Sequence, residues 1–306
     1  MKDTVSEKKV SFESNSIKIA ANLFYPAGFK QGDKPTPAIV VAHPAAGVKE
    51  QTAELYAKSL AEKGFITLAF DAAYQGESEG TSRGLEDPSQ RVEDIRAAAG
   101  FLTTIKDVDA ENIGVLGICA SGGYSIVATA TDHTIKALAT VSGVDLGDWN
   151  RKGSDGKQDP KIIQGMLDAA AADRIAVLNG KAPGTFPIRP TPEEAKAAGS
   201  ITYEGWEYYC TDRGQNPRQS NFTPLSSVER IASFYSPDFA YLIAPRPVLM
   251  IAGTDAQTLW MTKDAYEKAN EPKELFLIEG ETHVSLYDHV SQSVPKLDEF
   301  FKKNLN

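Results

Sequence analysis

The stretch that most constrains the fold of this chain is a glycine-rich junction between a strand-like run and a helix-like run. Residues 113–118 are apolar and rich in β-branched side chains, which predicts a short buried strand. Small, helix-compatible residues follow at 120–131, so the chain has to turn sharply at Cys119. Gly117 precedes this cysteine and a glycine pair follows it closely, which matches the strand, nucleophile, helix turn of the G-x-S-x-G pattern with cysteine in place of serine.

A nucleophile at such a turn projects beyond the end of a sheet. The helix that follows directs its free N–H groups and its dipole toward that nucleophile. The pKa of cysteine, near 8.5 in peptides, falls at helix N-termini and beside a cationic histidine, and the thiolate is the reactive form. The sequence therefore predicts that Cys119 is a nucleophile with a lowered pKa.

Two other interpretations of this junction stay open. Free cysteine is among the most buried residue types, so Cys119 could be a small core residue. A shifted register, Cys119-x-Ser121-x-Gly123, would make Ser121 the nucleophile. We favour Cys119, because Gly117 suits a strained backbone better and because Ser121 would fall inside the first helical turn.

The rest of the chain alternates between strand-like and helix-like segments. Apolar or alternating runs occur at 8–13, 17–25, 38–42, 65–70, 137–142, 247–252 and 274–278, and helical spacing occurs at 52–63, 89–102 and 290–303. The first two runs read as an antiparallel hairpin, and the others predict an α/β fold with a mostly parallel central sheet and helices on both faces. Ligands bind at the carboxyl ends of such strands, where the sequence places His43, Asp71, Cys119, Asp145, Asp255 and His283.

The alternation breaks over about a hundred residues before the strand at 247–252. We predict a core formed by residues 1–145 and 240–306, with a helical cap inserted at 146–239. Helical patterns at 160–176 and 191–198 and an aromatic cluster around Trp206 belong to this insertion. Because it leaves and rejoins the sheet near the ligand edge, we expect Trp206, with His43 and Tyr74, to contribute to a substrate pocket.

The catalytic base is assigned by chain order. The chain has four histidines, and His283 follows the last predicted strand, where the base stands in the order nucleophile, acid, histidine. Asp255 follows the strand at 247–252 and is the predicted acid, although an aspartate there could also serve a turn. Asp145, after the preceding strand, is the alternative acid.

The oxyanion hole needs two backbone donors. One should be the N–H of Ala120, which follows the nucleophile, and the other an N–H from the loop after the strand at 38–42. Pro44 has no N–H, so the choice falls between Ala45 and Ala46, and we choose Ala45. His43 is expected to shape this loop.

Composition excludes several classes of partner. The net charge of −9 argues against nucleic acid and against an anionic membrane surface. No apolar run approaches the length of a membrane span, and the first ten residues lack a signal-type apolar segment, so we expect a cytoplasmic protein. Two cysteines cannot make a disulfide framework, and no spacing indicates a zinc site, a phosphate loop or a dinucleotide fingerprint.

Taken together, these motifs resemble the α/β-hydrolase superfamily, in the branch of dienelactone hydrolases and the uncharacterised bacterial hydrolases related to them. The resemblance covers most of the chain outside the predicted cap. It rests on four segments, which are His43-Pro44 with residues 47–51, Asp71 with residues 74–78, residues 117–123, and residues 282–284 with 286–288.

This resemblance implies an α/β-hydrolase fold and hydrolysis of a carboxylic ester, lactone or thioester through an acyl-enzyme, without a cofactor. The expected partner is a small-molecule acyl substrate, and a homodimer stays open. The chain departs from the family pattern at Ser121, which is inserted before the glycine pair, and at Asp255, which lies one residue before the usual position of the acid. Alternatives are a non-catalytic ligand-binding protein, a peptidase or an acyltransferase on the same fold.

Overall fold

The computed structural model describes residues 4–30, 32 and 34–305. The strands in this part of the chain are β1 (Ser6–Ser14), β2 (Ile17–Tyr25), β3 (Thr36–Ala42), β4 (Ile66–Phe70), β5 (Val108–Ile118), β6 (Ile135–Val141), β7 (Thr185–Pro187), β8 (Phe222–Pro224), β9 (Val248–Gly253) and β10 (Lys273–Ile278). Eight of them form one sheet in the order β1-β2-β4-β3-β5-β6-β9-β10. Strands β3 to β6, β9 and β10 run parallel, and the β1–β2 hairpin adds an antiparallel edge.

The described helices are α1 (Thr52–Ala61), α2 (Pro88–Thr103), α3 (Ala120–Thr131), α4 (Leu146–Lys152), α5 (Pro160–Leu178), α6 (Pro192–Ala198), α7 (Ser200–Cys210), α8 (Ser226–Ala232), α9 (Leu259–Lys268) and α10 (Ser293–Asn304). Helices α1 and α10 pack together, and α2 and α3 pack together against the sheet. The predicted α/β architecture is confirmed, and α3 has the predicted bounds. Strand β5 begins five residues earlier than the apolar run at 113–118, because its first half is polar and less buried.

The register of the parallel strands brings the functional loops to one edge of the sheet. Ala42 on β3 lies opposite Gly117 on β5, and Val141 on β6 lies opposite both Ile118 and Ile251. The strand ends therefore lie level with one another. The loops that follow β3, β5, β9 and β10 consequently open toward the same space.

An ion cluster around the buried side chain of Lys49 fixes the loops beside this edge. The ammonium of Lys49 lies 2.7 Å from Asp71, 2.6 Å from Glu77 and 2.9 Å from a carboxylate oxygen of Glu50. The three carboxylates are close enough to one another to hold a metal ion, but here they surround the lysine. Asp71 also accepts the backbone N–H groups of Lys49 and Glu77, so one carboxylate joins the loop after β3 to the loop after β4.

The segment between β6 and β9 carries α4 to α8 and the small β7–β8 sheet. Its two ends are joined through Asp145, the residue that caps α4. One oxygen of Asp145 accepts the N–H of Asp148, and the other accepts the N–H and the hydroxyl of Ser236 at 2.7 and 2.8 Å. The insertion thus begins and ends at the same buried carboxylate, whereas its treatment as a separate domain at 146–239 stays a prediction.

No helix among the described residues combines the length and the apolar character that crossing a bilayer would require.

Candidate active site

The backbone at Cys119 adopts the strained conformation that the sequence predicts for a nucleophile. Its φ and ψ are 56° and −122°, a region that residues with a side chain rarely occupy. The turn is tight enough that a Cβ on Gly117 would overlap the backbone carbonyl of Ser121, which explains the glycine. Strand β5, this single strained residue and α3 together form a nucleophile elbow.

Three hydrogen-bonding groups meet the sulfur of Cys119. They are the backbone N–H groups of Ala45 and Ala120, the two donors predicted for the oxyanion hole, and the hydroxyl of Tyr287. Burial raises the pKa of the Cys119 thiol, and these hydrogen bonds lower it by less. The predicted lowering of the pKa is therefore corrected, because desolvation outweighs the helix N-terminus and the resting thiol is protonated.

The imidazole of His283 lies in the same buried site. Its Nε2 is 3.1 Å from the hydroxyl of Tyr287, and its Nδ1 is 2.7 Å from the hydroxyl of Thr258. Burial lowers the pKa of His283 to about 4, so the ring is neutral at physiological pH. When Nδ1–H donates to Thr258, Nε2 keeps a free lone pair, which is the state a general base requires.

Neither predicted acid reaches this imidazole. Asp255 is exposed, and its carboxylate accepts the hydroxyl of Thr254. Asp145 is occupied in joining the ends of the insertion. The partner of Nδ1 of His283 is therefore Thr258 and neither of the predicted acids. The threonine hydroxyl is buried and neutral, so it can orient the imidazole but cannot stabilise a positive charge on it as a carboxylate would.

The alternative nucleophile, Ser121, lies in the first turn of α3. It is 1% exposed, and its hydroxyl donates to the carbonyl of His43 at 2.6 Å while accepting from Arg91 at 2.9 Å. Neither of these bonds is made to His283. Ser121 thus braces the loop after β3, and its hydroxyl has no hydrogen bond to a histidine ring among the residues the structure describes.

His43 acts on the same loop. Its Nδ1 lies 2.7 Å from the carbonyl oxygen of Pro44, and its Nε2 accepts the N–H of Ala72 at 3.0 Å. Burial and the nearby Arg91 hold the pKa of His43 well below its usual value, so the ring is neutral and Nδ1–H donates. By fixing the Pro44 carbonyl, His43 also fixes the peptide that carries the N–H of Ala45.

A cavity of about 280 Å³ opens above the thiol. Core and insertion both line it, and most of the lining is apolar, including Leu146, Trp149, Ile188, Ile201 and Trp206. Trp206 is thus brought to the cavity as predicted. His43 is fully buried behind the loop and Tyr74 packs against Gly80, so these two predicted pocket residues are corrected to positions outside the cavity lining.

Thr258 and Tyr287 are further residues of the candidate site that the residue patterns did not reveal. Tyr287 lies four residues after His283, inside a segment that supported the family resemblance, and this spacing could have drawn attention to it. Its ring packs against His283 at 5.6 Å and against Tyr208 at 5.2 Å. The sequence does not single out Thr258, because threonine is a common residue at helix N-termini.

A parallel α/β sheet, a nucleophile elbow and a histidine after the last strand together define an α/β hydrolase. A family model described as X-Pro dipeptidyl-peptidase (S15 family) matches residues 15–174, just over half of the chain, and the chain belongs to this family. The uncharacterized protein YcjY of Escherichia coli (strain K12) is 37% identical over 304 residues, covering 97% of this chain and 99% of that protein.

Solved structures agree with the assignment. The crystal structure of hypothetical protein PA2218 from Pseudomonas aeruginosa matches with a TM-score of 0.91 and 33% identity, covering 99% of this chain and 94% of the other. Dienelactone hydrolase from Anabaena variabilis matches with a TM-score of 0.59 and 17% identity, covering 99% of this chain and 100% of the other. The resemblance to α/β hydrolases, with a dienelactone hydrolase among the structural neighbours, is confirmed.

Proposed function

We propose that this α/β hydrolase cleaves small carboxylic esters, lactones or thioesters through an acyl-enzyme on Cys119. The proposal rests above all on one observation: the N–H groups of Ala45 and Ala120 converge on the thiol of Cys119 at a strained turn. Two such donors are what the oxyanion of a tetrahedral intermediate requires. The cavity above the thiol is small and mostly apolar, which suits a small acyl compound.

The proton of the thiol has a route to the base. Tyr287 touches both the thiol of Cys119 and Nε2 of His283, and burial holds its pKa well above 10, so its hydroxyl keeps a proton. As Sγ bonds to the carbonyl carbon, the thiol proton moves to the Tyr287 oxygen and the Tyr287 proton moves to Nε2. The carbonyl electron pair becomes the oxyanion, which Ala45 and Ala120 hold.

The intermediate then collapses and expels the alcohol or thiol. The leaving group takes the proton from the His283 imidazolium, and the acyl group stays on Cys119 as a thioester. Water attacks this thioester, and His283 accepts one of its protons. The carbon–sulfur bond breaks, the acid leaves, and the thiol is protonated again.

The chemistry of the base favours esters and thioesters over peptides. In the described part of the chain no carboxylate contacts His283, so its imidazolium is a costly intermediate. An amine leaves only when it is protonated, whereas an alcohol or thiol demands less from the acid. A dipeptide with a free α-ammonium would moreover bring a positive charge into a cavity whose charged lining residue is Arg189.

Mass spectrometry of the acylated protein tests this proposal. We expect that brief incubation with p-nitrophenyl acetate or with an acetyl thioester, followed by acid quenching, leaves one acetyl group on the peptide that contains Cys119. Replacing Cys210 by serine beforehand removes the other thiol that lines the cavity. An acetyl group on Ser121, or no acylation together with rapid turnover, would contradict the mechanism.

Tyr287→Phe tests the proton route. We expect kcat/KM to fall by about 100-fold, because the variant keeps the ring but removes the hydroxyl that joins the thiol to the base. The same hydroxyl lowers the pKa of Cys119, so the pH midpoint of alkylation by iodoacetamide should rise in this variant. Both readouts are measured with Cys210 replaced by serine.

The matched control is Tyr208→Phe. Tyr208 packs against the ring of Tyr287, but its hydroxyl is paired with the backbone of Thr52. This variant should leave both the turnover and the alkylation profile close to those of the wild type. Equal behaviour of the two variants would assign Tyr287 a packing role only.

A further inference from the structure

The cavity contains a charged group that the proposed chemistry does not use. Arg189 lies between β7 and α6 and is the one Lys, Arg, Asp or Glu among the described residues that line the cavity. An arginine keeps its charge at any physiological pH. A single cation in a mostly apolar cavity requires a physical explanation. The need is greater in a protein whose net charge is −9.

Arg189 is also unusual among the arginines of the insertion. The others, namely Arg151, Arg174, Arg213, Arg218 and Arg230, each pair with a carboxylate. Arg189 forms no ion pair with any Asp or Glu that the structure describes, and its buried Nε has no hydrogen-bond partner there. The guanidinium therefore lies beside the cavity with an unused donor, Nε, and leaving such a donor unpaired costs free energy.

The guanidinium is held in place by a neutral network. Its Nη2 donates to Oε1 of Gln219 at 2.6 Å, and the same oxygen accepts Nε2 of Gln51 at 3.0 Å. Gln51 in turn accepts the N–H of Val48, in the loop that supplies the oxyanion donor. Gln219 is 7% exposed, so this support is itself buried. The network positions the cation without neutralising it.

We propose that Arg189 binds a carboxylate of the substrate, so that the preferred substrate is a small ester, lactone or thioester with a carboxylate remote from the scissile carbonyl. This inference rests on the proposed function. A carboxylate would supply the ionic partner that the guanidinium lacks, through a charge-assisted hydrogen bond. The apolar walls formed by Ile188, Ile201 and Trp206 would enclose the hydrocarbon between the two ends.

The carboxylate can belong to the acyl part or to the leaving group, and paired substrates distinguish these sources. Mono-p-nitrophenyl glutarate carries it on the acyl part, and p-acetoxybenzoate carries it on the leaving group. Their neutral counterparts are p-nitrophenyl pentanoate and phenyl acetate. We expect the wild type to prefer one of the anionic esters over its neutral counterpart by at least about tenfold in kcat/KM.

Arg189→Gln should remove this preference. For the preferred anionic ester we expect kcat/KM to fall by about 10- to 100-fold, and for its neutral counterpart to change by less than about threefold. Arg174→Gln is the matched control, because it removes the same charge from the surface of the same insertion. It should leave both rates unchanged.

A binding measurement keeps this inference separable from the proposed function. Glutarate should protect Cys119 from iodoacetamide in a protein with Cys210 replaced by serine, and the additional change Arg189→Gln should abolish the protection. Such protection without turnover of any ester would support the anion site and contradict the hydrolase. An equal rate for charged and neutral esters, or equal slowing of both by Arg189→Gln, would overturn the anion site while the hydrolase stands.

Discussion

Replacing Cys119 by alanine is expected to lower kcat/KM for small esters by at least about 10⁴-fold, to a rate near the background. The variant keeps the oxyanion donors, the cavity and His283, but it cannot form the acyl-enzyme. The side chain loses one sulfur atom at a buried position, so the fold should survive. Initial rates with p-nitrophenyl acetate, together with circular dichroism, measure the loss of turnover against the retention of structure.

Ser121→Ala is the necessary companion of this experiment. Its hydroxyl bonds the carbonyl of His43 and accepts from Arg91, so its loss should loosen the oxyanion loop and lower the rate by about tenfold. The chemistry itself should continue. A Ser121→Ala variant without activity, beside a Cys119→Ala variant with normal activity, would reverse the assignment of the nucleophile.

Replacing His283 by glutamine is expected to have the next largest effect, a loss of about 10³-fold in kcat/KM. Glutamine can still reach the hydroxyls of Thr258 and Tyr287, but it cannot accept the proton. Because burial lowers the pKa of His283 to about 4, the neutral base is present at every pH well above 4. The wild-type kcat/KM should therefore be flat through pH 6.5, where an ordinary histidine titrates, and should fall only as the pH approaches 4.

Two further variants locate the partner of this imidazole. Thr258→Val keeps the shape of the side chain but removes the hydroxyl at Nδ1, and about a tenfold loss of kcat/KM is expected. Asp255→Asn changes an exposed side chain and should have no effect. A large loss in Asp255→Asn, or an acidic limb near pH 6.5, would show that a carboxylate assists the base after all.

Most of the fold can be predicted from the sequence, because the burial of strands and helices imposes a pattern of apolar residues on the chain. The central strands are apolar on both faces, and their carboxyl ends lie level because the strands pair in parallel. Helices of the insertion were harder to find. In α7 only Tyr208 is buried, so no apolar stripe marks the helix, and α4 has seven residues.

The candidate site can be predicted from the sequence as far as the order of residues along the chain indicates their roles. The structure brings Cys119, His283, Ala45 and Ala120 together as predicted, because a turn, a strand end and a missing N–H restrict the choice. Thr258 was missed because chain order predicts an acid, and nothing local reveals that the aspartate three residues earlier faces solvent. The sequence does not single out Arg189 either, since it is one of six arginines in the insertion and nothing in the sequence shows that the other five are paired.

The carboxylate of Asp145 marks the boundary between the residues of the proposed chemistry and those of the proposed selectivity, both along the chain and in space. The proposed nucleophile, its oxyanion donors and the proposed base stand on loops of the sheet, whereas Arg189 and Trp206 stand on the segment whose two ends meet at Asp145. That segment could therefore be exchanged or diversified as a cassette between two neighbouring points. Recombination at this junction offers a route to new substrate ranges in which the bond-breaking machinery is inherited unchanged.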